Sequence, residues 1–468
     1  MKKLPVVKAT SEQLPIISNQ QLGAEVIRGA AGSGKTSTAL LRLKSLLYFI
    51  EERKQRLGDA QPTKILVLTF NRTLSGYVAS LAEAQLDGRH KAVLSIHTFG
   101  RWANLALPLA DVREMECRAL LDGLVARSGI GNLSESYLKK EVDYLMGRFR
   151  PQDFELYMNS ERTGRGLLPR VESTTRRKIL NNIVYPYQGE LERRNIYDWN
   201  RLAVEMAQTK GSLLYDIVVI DEAQDFSANQ LRAIRRHLAN EHAVTFVIDT
   251  VQRIYARGFT WLEAGFTIRH GAFYTLSANH RNTKEIAAFT SAIVNGINVD
   301  SDGALPNLAN ATRNGPVPEV LVGTYPKQID NVIDKIRKID LTAESVAFLF
   351  PRGRHWMDYL KQRLSDEQVA FVEITRVSEW PEGEENVALC TFHSAKGLEF
   401  DHVFIIGLCD KNTNFEDPES DDELLVLRRL FAVACARARE TLTIGHKRGE
   451  ESRLMDFVTR GTFKEVVL

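Results

Sequence analysis

Gly29-Ala30-Ala31-Gly32-Ser33-Gly34-Lys35-Thr36 fits the pattern G-x-x-x-x-G-K-[ST]. The chemistry of that pattern is phosphate binding. Glycines let backbone N–H groups curl round a polyphosphate, and a helix opening at Lys35 adds the positive end of its dipole. Lys35 then reaches the β- and γ-phosphates, and the Thr36 hydroxyl is a ligand for Mg²⁺. A second cluster, Val218-Val219-Ile220-Asp221-Glu222-Ala223-Gln224-Asp225, is an apolar run ending in acids. Asp221 is suited to hold Mg²⁺ through its water shell, and Glu222 to polarise an attacking water. An acidic strand end alone is often only the cap of the next helix. After a phosphate loop, the metal reading is the better one.

These groups need elements to position them. Ala24–Arg28 reads as a strand, Lys35–Leu57 as a long helix and Ile65–Thr69 as a second strand. Strands alternating with helices predict a parallel sheet. Residues 106–208 lack buried-strand runs and read as helical. From Lys139 to Lys210 there are 14 Lys/Arg against 10 Asp/Glu, interleaved with Tyr144, Phe149, Phe154, Tyr185, Tyr187, Tyr197 and Trp199. Basic plus aromatic is the chemistry of single-strand binding. The plainer reading, which composition favours, is a helical insertion with a solvated basic face and an aromatic core. Strand texture returns at Leu214–Ile220, Ala243–Ile248 and Ala272–Leu276. It continues in a third stretch, at Val317–Val322, Ser345–Phe350, Val387–Cys390, His402–Ile406 and Thr441–Ile444. Asn307–Gly315 and Glu416–Glu423 read as surface loops. Two sheet domains are predicted, the first interrupted by the helical segment.

Composition sets the outer limits. At 468 residues, 44% hydrophobic and 26% charged, the chain is neither disordered nor collagen-like. Its 61 basic and 59 acidic residues give no global pull on a polyanion, although a basic groove can hide in a balanced total. Cys117, Cys390, Cys409 and Cys435 lie far apart and read as reduced thiols, not as a disulfide frame or zinc site. The longest apolar runs, such as Val403–Leu408, are far short of a membrane span. No signal-type apolar region follows Met1–Pro5. A cytoplasmic protein is expected.

At Asp221–Asp225 the sequence resembles motif II of the UvrD/Rep-like superfamily 1 helicases, and further motifs follow in that family's order. Gln13 resembles the adenine-reading Q motif. Thr69-Phe70-Asn71 resembles motif Ia and Ile96-His97-Thr98-Phe99 motif Ib. Asp249–Tyr255 resembles motif III, Asn279-His280-Arg281-Asn282-Thr283 motif IV, Thr391–Phe400 motif V and Arg428–Ala438 motif VI. The matches run from Gln13 to Ala438.

The resemblance implies an α/β protein with two RecA-like P-loop domains and ATP, with Mg²⁺, in the cleft between them. Residues 1–105 with 205–277 would form the first domain (1A), 106–204 a helical 1B insertion, and 278–468 the second domain (2A). By resemblance Gln13, Gly29, Gly32, Ser33, Gly34, Lys35, Thr36, Ser37 and Glu399 serve the nucleotide, and Thr36 and Asp221 the metal. Glu222 is the catalytic base. Gln252, Arg281 and Arg437 sense and stabilise the γ-phosphate. Thr69, Phe70, Asn71, His97, Thr98, Tyr255, Thr391 and His393 face the nucleic acid. An unpaired charge in the apolar run Leu430–Ala438 would be costly, which favours an interdomain role for Arg437.

Departures from the family accompany the matches. Ser37 and His280 stand where an Arg and an aromatic usually pack on adenine. Arg257 takes the place of the base-stacking Trp of motif III, leaving Phe259 or Trp261 either as a stacking face or as core. Arg281 and Thr391 are only 110 positions apart, too close for the large 2B domain of the relatives. The implied activity is ATP-driven translocation on single-stranded DNA, 3′ to 5′, with unwinding. The alternative is an ATPase module that senses nucleotide or DNA ends and regulates a partner nuclease in anti-phage defence. A P-loop kinase or transporter ATPase leaves motifs III to VI unaccounted for.

Overall fold

A computed structural model describes residues 9–29, 33–69, 92–160, 171–209, 214–249, 259–276, 279–296, 311–351, 355–374, 385–396, 398–413 and 421–468. The first sheet contains β1 (Gly23–Gly29), β2 (Thr63–Thr69), β3 (Ala92–Thr98), β4 (Tyr215–Ile220), β5 (Leu238–Asp249) and β6 (Ile268–Leu276). Their order is β3-β2-β4-β5-β1-β6, with every pairing parallel. β4 is buried at all six positions, as a central strand covered on both faces must be. One face packs Leu40, Leu43 and Leu47 of the helix Lys35–Arg56 on Ile27, Val67, Val219 and Val247. The other packs the helices Phe99–Ala106, Trp199–Gln208 and Ala228–Arg236 on Val26, Leu68, Val218 and Phe246. A buried ion pair joins the helix Lys35–Arg56 to β1: Arg42 reaches Glu25 at 2.7 Å, and neither side chain is more than 3% exposed.

Between β3 and β4 the chain forms the helices Glu114–Ala126, Glu135–Arg148, Ser173–Ile179 and Tyr185–Arg194 around a core of their own. Phe149, Phe154, Tyr157 and Tyr187 are buried in that core. Much of the basic excess is occupied as well. Arg176 donates to the carbonyls of Tyr157, Met158 and Ser160, while Arg177 pairs with Glu155 and Arg194 with Glu116 and Glu190. The segment is therefore the aromatic-cored insertion, and most of its rings are not free to stack bases. It is fastened to the first sheet's helices by polar contacts: Asn229 donates to the carbonyls of Met146 and Phe149, and Arg232 to that of Arg148.

The second sheet holds β9 (Glu319–Val322), β10 (Val346–Phe350), β11 (Val372–Ile374), β12 (Val387–Thr391), β13 (Phe400–Ile405), β14 (Ala438–His446) and β15 (Lys464–Val467). The order is β11-β12-β10-β13-β14-β9-β15, again all parallel. A short parallel ribbon, β7 (Asn279–Thr283) with β8 (Ala311–Arg313), stands beside it. Between β7 and β12 every described strand joins this sheet or pairs with β7. The sequence pattern does not announce β3, β11, β15 or the ribbon. They are edges or short pairs, which lack the continuous apolar run of a central strand. The four cysteines are unpaired thiols, and no described helix is long and apolar enough to cross a membrane.

Candidate active site

β1 delivers the chain to the phosphate loop and the helix Lys35–Arg56 receives it. Gly34 caps that helix with φ at +78°, a left-handed conformation that favours glycine. A Cβ there would collide with the Gln13 amide. Gln13 is itself buried, and its Oε1 accepts from the Thr10 N–H at 3.0 Å. Gln13 thus lies directly against the start of that helix. Ser33 and Lys35 are buried beside it, and Ser37 is half-buried one turn into the helix. Gly29 ends β1, packed between Leu276 and Ser33, and Gly32 lies outside the described residues.

The Thr36 hydroxyl lies 3.0 and 3.2 Å from the two Asp221 oxygens. Burial raises the Asp221 pKa, the neighbouring Glu222 charge raises it further, and Thr36 and Lys35 offset part of the rise. A hard divalent cation would relieve both destabilising causes. A hydroxyl and a carboxylate are also the sparse oxygen set that Mg²⁺ accepts when phosphate and water complete its shell. The residues present therefore fit the ion. Glu222 is held at φ +52°, a left-handed backbone that costs a non-glycine residue about 1–3 kcal/mol. Gln224 donates to its Oε2.

The second sheet reaches this cluster with a cation. Lys396, in the turn after β12, is buried, pairs with Asp225 and lies 3.4 Å from Glu222 Oε2. Arg437 and Glu399 stand at the amino ends of the adjacent strands β14 and β13, where Phe400 N–H donates to the Arg437 carbonyl. Arg437 is 2% exposed, and its guanidinium donates to the carbonyls of Val433 and Leu398 at 3.2 Å each. Both of these acceptors belong to its own domain. Asn282 of β7 clamps the main chain on both sides of it, donating to the carbonyls of Ala436 and Ala438 at 3.0 and 2.6 Å. Arg281 precedes Asn282 on β7, and its side chain lies outside the described residues.

Of the nucleic-acid candidates, Thr69 and Thr98 end β2 and β3 as register partners, with His97 before Thr98. The Thr98 hydroxyl caps the following helix by accepting from Arg101 N–H. The His97 pKa is lowered by burial and by Arg101. Thr391 ends β12 and accepts from Ser394 N–H. His393 stays solvent-accessible in a crowded setting, its pKa lowered by burial and by Lys396. Phe70, Asn71, Gln252 and Tyr255 lie outside the described residues. Phe259 and Trp261 are core: Phe259 is buried and Trp261 packs 4.3 Å from the Phe246 ring. Sequence reasoning assigned no role to Lys396 or Asn282, because each acquires its partners only across the fold.

Two family models match the chain: the UvrD/REP helicase N-terminal domain over residues 9–261 and the UvrD-like helicase C-terminal domain over 373–448. A "Probable DNA helicase" of Mycoplasma pneumoniae is 23% identical over 453 residues, covering 90% of this chain and 80% of its own length. The ATP-dependent DNA helicase Rep of Buchnera aphidicola is 35% identical over 79 residues, 16% of this chain and 12% of that protein. The ATP-dependent DNA helicase PcrA of Staphylococcus aureus is 44% identical over 66 residues, 14% of this chain and 9% of that protein.

Proposed function

The chain belongs to the UvrD-like helicase family and is an ATP-hydrolysing DNA helicase of that type; from that premise we propose that it translocates along single-stranded DNA, 3′ to 5′. The observation that carries the proposal is the meeting of Thr36, Asp221 and Glu222 with Lys396 of the second sheet. Residues 1–105 with 205–277 act as domain 1A, 106–204 as 1B and 278–468 as 2A. The phosphate loop and Lys35 hold ATP, and Gln13 reads its adenine. Thr36 and Asp221 hold Mg²⁺, which when bound neutralises phosphate charge. Glu222 orients a water and takes its proton as the water oxygen bonds to the γ-phosphorus and the bond to ADP breaks. Arg437, Arg281 and Gln252 stabilise the charge that develops. Closure of the cleft passes the strand between Thr69, Phe70, Asn71, His97, Thr98 and Tyr255 on one domain and Thr391 and His393 on the other. No observation favours the alternative of a module regulating a partner nuclease.

The test is the ATPase rate of the purified chain alone and with single-stranded DNA, blunt duplex DNA or RNA. Strong stimulation by single-stranded DNA and weak stimulation by blunt duplex are expected, since every described strand between β7 and β12 belongs to the second sheet or to its ribbon. Equal stimulation by the two would refute the reading. Displacement of a protein block from a 3′ end but not a 5′ end would contradict the polarity, because a 3′-to-5′ motor runs off the 5′ end.

A further inference from the structure

β6 is the outer edge of the first sheet, and its first half carries a cleft outside the ATP site. The cleft has a volume of about 400 Å³ and is lined by Arg28, Ile268, Arg269, His270, Gly271 and Phe273. A volume of that order is in the range of small-ligand sites. Phe273 is 37% exposed, and the Arg28 guanidinium lies 5.8 Å from its ring centre. Arg28 Nε donates to the Thr275 hydroxyl at 2.8 Å. Arg269 and His270 are exposed. Among the described residues neither Arg28 nor Arg269 makes a direct ion pair, although the Arg269 charge acts at longer range on the buried Glu25 carboxyl and lowers its pKa. An exposed ring in a cleft shared with two guanidinium groups offers a face for a base and donors for phosphate.

We propose that this cleft is an accessory contact for single-stranded DNA, with Phe273 stacking a base and Arg28 and Arg269 meeting phosphate. The inference rests on the single-strand reading above and adds a site to it. The edge strand argues against the other polyanion that charge alone would admit, an acidic protein segment added as a further strand. The pairing of β1 with β6 shifts register between Ala24 and Val26, where the chain bulges through Arg269, His270 and Gly271. A bulge of this kind breaks the regular row of main-chain donors and acceptors that an incoming strand requires. Five strand spacings, about 24 Å, separate β6 from β3, so the cleft lengthens the footprint beyond Thr98.

The experiment measures binding of a fluorescent oligo-dT to the full chain by anisotropy across a salt series. The proteins are the wild type, Arg269→Glu, Arg269→Gln and Phe273→Ala, all at exposed positions. Phe273→Ala should raise Kd about tenfold, the loss of one stacked base. Both Arg269 variants should raise Kd and lower the slope of log K against log salt by about 0.7 for each phosphate no longer neutralised. If the wild type binds and all variants match it in Kd and slope, the cleft inference falls while the functional reading stands. If the wild type does not bind single-stranded DNA, both fall. If the Arg269 variants weaken binding but Phe273→Ala does not, no base is stacked and the proposal is overturned in favour of a site that reads charge alone.

Discussion

The first and second sheets share an all-parallel plan but present opposite charges to each other. At the carboxyl ends of β1 and β4 the first sheet offers a phosphate loop and the carboxylates Asp221, Glu222 and Asp225. The second sheet offers cations: Lys396 after β12, and Arg437 at the amino end of β14. All five of these side chains are largely buried. A buried charge without a partner is costly, and removal of one member leaves the other exposed to that cost. Lys396 pairs across the cleft with Asp225, whereas Arg437 donates to carbonyl oxygens of its own domain. Lys396 is thus a tie between the domains.

The largest effects should come from the first sheet. Lys35→Ala and Glu222→Gln should each abolish hydrolysis, the former by loss of phosphate positioning and the latter by loss of the proton acceptor. Glu222→Gln should still bind ATP, as a fluorescent analogue would report. Turnover near the wild-type rate in either variant would break the assignment of chemistry to this side. On the second sheet, Arg437→Ala should lower turnover by about 10³–10⁵, the range of arginine fingers elsewhere, while single-strand affinity without nucleotide is retained. A fall in DNA affinity with retained turnover would move Arg437 to the strand groove.

The two sheets should also differ in stability. Arg42→Ala removes the ion-pair partner of the buried Glu25, whose pKa burial already raises and which keeps the Asn19 amide and the more distant Arg269 charge, and should destabilise the first domain by about 3 kcal/mol. Hydrogen exchange should show the loss in β1 and the helix Lys35–Arg56 and spare β10, β12 and β13. A smaller effect tests the positioning of Arg437. Asn282→Ala frees the carbonyls of Ala436 and Ala438 and should cut kcat by about 10² with little change in ATP affinity, as a small misplacement does. Unchanged kcat would make Asn282 a structural residue only.

The smallest effect is one of pH. Burial, outweighing a hydrogen bond with the Ala233 carbonyl, lowers the His237 pKa, and Arg236 lowers it further. The unfolded chain then binds this proton more readily than the folded one. The stability present above about pH 6.5 is lost as pH falls through the folded value. Urea midpoints at mildly acid and neutral pH should differ less in His237→Asn than in the wild type. An identical acid sensitivity in the variant would assign it to other groups.

The sequence alone determined the local chemistry and most of the central strands. The phosphate loop needs a fixed spacing of glycines before Lys35, and the acids of Asp221–Asp225 follow an apolar run, so both are written in consecutive residues. β4 and β10 are legible because strands covered on both faces are apolar throughout. Edge strands such as β3 and β15 face solvent and lose that signal. The insertion between β3 and β4 was legible as helical, but its residues alone left base stacking and aromatic core both open. Only packing placed Phe154 and Tyr187 in the core and Arg176 on carbonyl oxygens.

Partner choice was decided by tertiary structure. Lys396 meets Asp225 across 171 residues of sequence, and Asn282 meets Ala436 across 154. A periodic pattern states which face of an element is buried, but not which element it is buried against. That choice depends on the crossover of strands and the approach of two sheets, neither of which leaves a local trace. The sequence therefore specified which residues carry charge at the site, and the fold decided which of those charges face one another, because the energy of a buried ion depends on its neighbours in space.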